Sequence, residues 1–150
     1  MIARIKAGPN DITLYPAAGE QLLNAFETKA GFLLPPDFKR FYSFSNGFLS
    51  DEDLFRIIPL EELMDNWHSE NRSFGQFYFA EYLIYSDLWG VDVGTNNQPC
   101  YSIFYPDLEE RKLFMTDSFA EFLNRFLTSG VYGQNGLYDW SNSNLEALKP

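Results

Sequence analysis

Cysteine and histidine are almost missing from this chain. Cys100 is the one thiol and His68 the one imidazole among 150 residues. A single cysteine excludes an intrachain disulfide, which fits a reducing compartment. Together the two residues fall short of the three or four N/S ligands that zinc takes. His68 stands beside Trp67 where a helix should end, a place for a helix-end or surface imidazole rather than a base. Cys100 falls in an expected strand with no base near it in sequence, so it reads as a buried, inert thiol. There is no G-x-S-x-G elbow, phosphate-binding loop or dinucleotide fingerprint. No run of about 18 apolar residues is present, and the opening residues MIARIKAGPND lack an apolar h-region and a cleavage pattern. The expectation is a soluble cytoplasmic protein with no membrane helix, in which the formal sequon Asn71-Arg72-Ser73 carries no glycan.

Basic residues are also scarce: 11 Lys and Arg stand against 21 Asp and Glu, a net charge of -10. The deficit is local. Residues 1–50 are nearly balanced, whereas 51–92 hold ten acids (Asp51, Glu52, Asp53, Glu61, Glu62, Asp65, Glu70, Glu81, Asp87, Asp92) against Arg56 and Arg72. Such a field repels nucleic acid and anionic membrane and steers a basic partner, raising association rates by roughly ten- to a thousand-fold. A merely solubilising surface is the other reading. The acids do not suggest chemistry of their own. Asp51-Glu52-Asp53 lacks the spacing and glycine of a calcium loop. Glu61 and Glu62, adjacent on a helix, point about 100 degrees apart and do not converge as a glycosidase pair does. No enzyme activity and no cofactor are expected.

Aromatic residues are abundant, with 15 Phe, 9 Tyr and 3 Trp. They predict a Phe-rich core, the alternative being an aromatic binding face. The length suits one domain over 1–150. A chain of this size buries roughly 70% of the surface its unfolded form exposes, so it needs no disulfide or metal staple.

The clearest unit runs from Leu33 to Phe48, LLPPDFKRFYSFSNGF. Pro35-Pro36 suit the entry to a helix and not its interior, and Asp37 meets the positive end of the helix dipole. Phe38, Phe41 and Tyr42 at i, i+3, i+4 make one apolar face. Asn46-Gly47 then reads as a C-cap or tight turn. Before it, Leu22, Leu23 and Phe26 predict a helix over about Ala17–Ala30, closed by Gly31. Ile12 and Leu14 suggest a short strand or arm. After it, Asp51-Glu52-Asp53 is an acidic loop, Leu54–Ile58 a strand, and Leu60, Leu63, Met64 and Trp67 a helix stripe with Glu61, Glu62 and Asp65 facing solvent. Phe77–Tyr85, Trp89–Val93, Cys100–Tyr105 and Leu113–Met115 read as strands of an antiparallel meander. Phe119, Phe122, Leu123, Phe126 and Leu127 form the strongest helical stripe, with Asp117 or Thr116 as N-cap and Gly130 as stop. Residues 131–150 form a C-terminal extension in which Trp140 should pack on the body.

Leu34, Pro35, Phe38, Lys39, Phe41, Asn46 and Gly47 resemble the "LP…(Y/F)K.F…NG" block of the SMI1/KNR4 family, or SUKH superfamily. Downstream, IIPLEELMDNW resembles the family's strand-then-helix step, and Ser118-Phe119-Ala120-Glu121-Phe122-Leu123 its "sFeeFL" helix. The resemblance covers about residues 16–130 in the family's order. It implies an α+β fold, a central, mostly antiparallel sheet with helices packed against it. It also implies a non-enzymatic protein-binding domain. Bacterial members are widely taken to be immunity proteins that neutralise toxin domains, often nucleases, of polymorphic or contact-dependent systems. Fungal relatives are linked to cell-wall-assembly signalling, which leaves a regulatory or scaffold module as the alternative. With the charge pattern, the expected partner is a basic toxin domain, met by Asp51, Glu52, Asp53, Glu61, Glu62 and Asp65, with Asp87 and Asp92 behind them.

Overall fold

The computed structural model describes residues 11–51, 54–68, 74–94, 100–107, 109 and 111–147. Among these residues seven strands form one antiparallel sheet in chain order. They are β1 (Ile12–Leu14), β2 (Phe48–Ser50), β3 (Phe55–Ile57), β4 (Gln76–Tyr82), β5 (Asp87–Asp92), β6 (Ser102–Pro106) and β7 (Lys112–Thr116). Helices α1 (Glu20–Ala30) and α2 (Pro36–Phe44) stand between β1 and β2. Helix α3 (Leu60–Asp65), continued by a 3-10 turn over Asn66–His68, joins β3 to β4, and α4 (Phe119–Ser129) and α5 (Leu137–Ala147) close the chain. The fold is α+β, and the meander expected from short connections is present.

Alternation along the strands sets the core. Phe55 and Ile57 of β3, Trp89 and Val91 of β5, and Ile103 of β6 are fully buried on the face turned to the helices. The aromatic residues chiefly build this interior. Phe38 of α2 stacks on Phe119 of α4 at 4.0 Å between ring centroids, Phe126 stacks on Phe55 at 4.1 Å, and Phe26 of α1 meets Phe77 edge-on at 5.6 Å. Each such ring contributes roughly 2–3 kcal/mol by leaving water, and each well-placed pair about 1 kcal/mol more.

Helix α2 follows its sequence closely. Pro36 is its first residue, Asp37 lies in its first turn, and Phe38, Phe41 and Tyr42 are its buried face. Its end differs from expectation. Ser45 is the C-cap, in extended conformation, and Asn46 is not left-handed. The side chain of Asn46 instead serves a different helix. Its Oδ1 accepts from Leu60 N at 3.0 Å, capping α3 from 14 residues away, while its Nδ2 donates to Glu61. Pro59, at the N-cap of α3, supplies no side-chain oxygen of its own. Asn46→Ala therefore leaves a buried N–H unpaired. We expect a loss of about 2 kcal/mol, read as a fall of about 5 °C in Tm, whereas Glu61→Gln leaves Tm within about 1 °C because the cap to Leu60 is kept.

Other departures have local causes. Helix α1 begins at Glu20, not Ala17, because the backbone before it is engaged elsewhere. Ala18 N donates to Tyr42 O, and Pro16 O accepts from Asn46 N. The N-cap of α4 is Ser118, whose Oγ accepts from Glu121 N. Thr116 backs it, accepting from Ser118 N. Strand β2 and helix α5 have no counterpart in the sequence reading. Helix α5 packs on edge strand β7, and Asn144 Nδ2 donates to Phe114 O at 2.8 Å, which blunts a sheet edge. Trp140 is buried as expected, with the Arg125 guanidinium 4.0 Å over its ring. Cys100 is exposed, against the expected buried thiol, because β6 begins two residues later, at Ser102.

Candidate protein-interaction site

Among the described residues, the turn between β4 and β5 has the most unusual backbone. The expected strand Phe77–Tyr85 stops at Tyr82, and Leu83, Ile84 and Tyr85 follow with φ of 49°, 51° and 62°. Three consecutive residues without glycine occupy the left-handed region, one of them β-branched. L-residues there are disfavoured by roughly 1–2 kcal/mol each. Nothing in Leu-Ile-Tyr signals such a turn, whose ordinary residues are Asn and Gly.

A polar network on the sheet face away from the core holds this turn. Glu81 of β4 is 2% exposed. It accepts from Arg56 Nε and from Tyr85 N. Arg56, beside Glu81 in the β3–β4 register, reaches on to Glu62 of α3 with Nη1 at 2.8 Å and with Nη2. The Tyr85 hydroxyl donates to Glu62 and accepts from Asn66 Nδ2 at 2.8 Å. The Arg56 guanidinium lies 5.6 Å from the Tyr85 ring centre. Burial pushes the Glu62 carboxyl up, but the hydrogen bonds from Arg56 and Tyr85 and the Arg56 charge outweigh it and hold it below the usual carboxylate range. Burial, then Glu62, pushes the Tyr85 phenol well up. Leu83 N donates to Leu54 O at 3.2 Å, tying the turn to the β2–β3 connection. Leu54, the 83–86 turn, Glu62 of α3 and Asn66 just beyond it are thus neighbours.

The acids singled out from the sequence divide by what they hold. Asp51 and Asp65 are exposed, as is Glu61 beyond its bond from Asn46. Glu52 and Asp53 lie outside the described residues. Glu62 does not face solvent as expected. It is half-buried in the network above, because α3 leans toward Arg56 and Tyr85. Asp87 is half-buried and accepts from the hydroxyls of Tyr105, at 2.8 Å, and Tyr138. Asp92 accepts from Gln76 Nε2 at 2.7 Å, Lys112 Nζ at 3.0 Å and Gly94 N at 2.9 Å. These last two carboxylates serve the fold. Sequence reasoning missed the apolar residues beside the free acids: Leu54, Leu83, Ile84 and Tyr85 are all exposed.

Among the described residues no three His, Cys, Asp or Glu side chains converge to hold a metal ion. No helix among them is long and apolar enough to cross a membrane. The arrangement is a preformed surface, apolar at its tip and acidic at its margin, suited to contact with another protein.

No curated protein matches the chain. The sequence model of the SMI1 / KNR4 family (SUKH-1) matches residues 17–125. That span runs from the approach to α1 through the first half of α4, and so includes the Leu-Pro block, the Asn46 cap and the whole sheet from β2 to β7. This chain belongs to the SMI1/KNR4 family (SUKH-1).

Proposed function

We propose that this chain is an immunity protein that binds a cognate basic toxin domain, such as a nuclease, and blocks it by occupancy, with no reaction of its own. Membership of the family supports a protein-binding role. The observation that carries the toxin reading is the acidic excess of residues 51–92, with Asp51 and Asp65 exposed beside an apolar turn. A nuclease presents basic side chains where it grips phosphate. Carboxylates placed opposite them replace that phosphate and speed encounter.

The test uses the toxin domain encoded beside this gene, in a catalytically inactive form. The full chain should bind it and protect cells from the active form. With Asp51, Glu52, Asp53 and Asp65 all changed to Lys, the association rate should fall by about tenfold or more at low salt, and its salt dependence should flatten. Association kinetics unchanged by the four reversals would remove the acidic margin from the interface. Absence of a neighbouring toxin gene, with binding to a resident regulatory protein instead, would move the chain to the regulatory branch of the family.

A further inference from the structure

We propose that the left-handed turn Leu83–Tyr85 is the apolar anchor of that interface, with Ile84 entering an apolar pocket ringed by basic side chains on the toxin domain. The inference rests on the toxin-binding reading and names the part of the surface that holds the partner once it has arrived.

Three observations carry it. Ile84 is 89% exposed while its backbone sits at φ 51°, so burial within this chain does not offset the conformational cost. A turn that only reversed the chain would take Asn-Gly there. Secondly, the conformation is over-determined. Glu81, nearly buried, accepts the Tyr85 amide, and the Tyr85 hydroxyl is fixed between Glu62 and Asn66. Strain that the surroundings impose in this way marks binding and catalytic positions, and a rigid loop loses little freedom on association. Thirdly, the margin is of one sign. Asp51 and Asp65 are exposed on the adjoining segments, and the described base among them, Arg56, is already bound to Glu81 and Glu62. Leu54, 51% exposed and hydrogen-bonded through its carbonyl to Leu83, widens the apolar tip. An apolar centre with an acidic margin fits a partner pocket that is apolar inside and basic at its lip.

The experiment measures binding of the full chain to the inactive toxin domain by surface plasmon resonance, with Tm recorded for each variant. Ile84→Asp should weaken binding about 30-fold, the loss residing in the dissociation rate. Ile84→Gly should weaken binding about tenfold while raising Tm by about 2 °C, because glycine relieves the left-handed strain. A purely structural turn would show the gain in Tm without the loss of binding. Phe114→Asp, on the edge strand, should leave affinity within about twofold. Wild-type binding with both Ile84 variants within about twofold of it would overturn the anchor and leave the toxin reading standing. Failure of the wild-type chain to bind would overturn both.

Discussion

Arg56→Leu should destabilise the protein by about 3–5 kcal/mol, the loss expected when one member of a buried ion pair is removed. Glu81 is the reason. Its side chain is 3% exposed and that of Arg56 21%, so solvent does not replace the guanidinium. Glu81 would keep only the Tyr85 amide, which cannot neutralise a carboxylate. Glu62, 31% exposed at its side chain, recovers part of its hydration and adds less. The double variant Arg56→Leu with Glu81→Leu should regain more than half of the loss, since an apolar pair needs no partner in a dry site. Urea unfolding of the three proteins at neutral pH checks this, and a loss below about 1 kcal/mol for Arg56→Leu would show the network to be solvated. Acid sharpens the comparison. Although burial alone would raise it, Glu62 is held below its ordinary value by Arg56 and Tyr85. Its contribution is present above the unfolded-state value and fades as pH falls through the lower, folded-state value. Arg56→Leu leaves only the Tyr85 hydroxyl to lower Glu62 and so weakens that dependence, and its stability should decline less steeply on acidification than that of the wild type.

The family block proves to be scaffold, which explains how a chain can show its fold so plainly and its partner so poorly. Lys39 pairs with Glu27 of α1 at 3.1 Å, and the same carboxylate accepts from Leu34 N at 3.0 Å. Phe38 and Phe41 fill the core, Asn46 caps α3, and Gly47 lies against β3. Helices α2 and α4 were legible because an apolar stripe and a strong start coincide there. Strand β2 was not, since three residues carry no period. Helix α5, LYDWSNSNLEA, reads as polar coil, and its place is set by packing on β7. At the candidate site the free acids could be read from composition, yet Glu62 reads as free as they do, and Asp87 and Asp92 read as a second rank of the same surface. Only their partners, contributed by residues 2 to 51 positions away, separate them. The left-handed conformation of Leu83–Tyr85 was invisible for a related reason. It is imposed by Glu81 and Glu62 against the local preference of the turn's own residues.

Gly47→Ala should lower stability by about 4 kcal/mol and Tm by about 10 °C, far more than a left-handed glycine ordinarily costs when replaced. Gly47 has φ 108°, and a Cβ there would stand 2.3 Å from the carbonyl oxygen of Ile57. That oxygen belongs to β3, whose pairing with β2 and β4 seats Phe55 and Ile57 in the core. The strand cannot yield without disturbing both ladders. Nor can residue 47 withdraw freely, because its own carbonyl accepts from Tyr15 N at 3.1 Å and from Ser45 Oγ at 2.6 Å. Gly31→Ala is the internal control. Gly31 also has positive φ, 78°, but its Cβ would meet only the Phe74 ring at 3.6 Å, an ordinary contact. Its replacement bears the backbone strain alone, about 1 kcal/mol. Urea unfolding of the two variants separates conformation from collision. Equal losses would mean that β3 shifts easily, and that the glycine of the family block is kept for its backbone angle rather than for its closeness to the sheet.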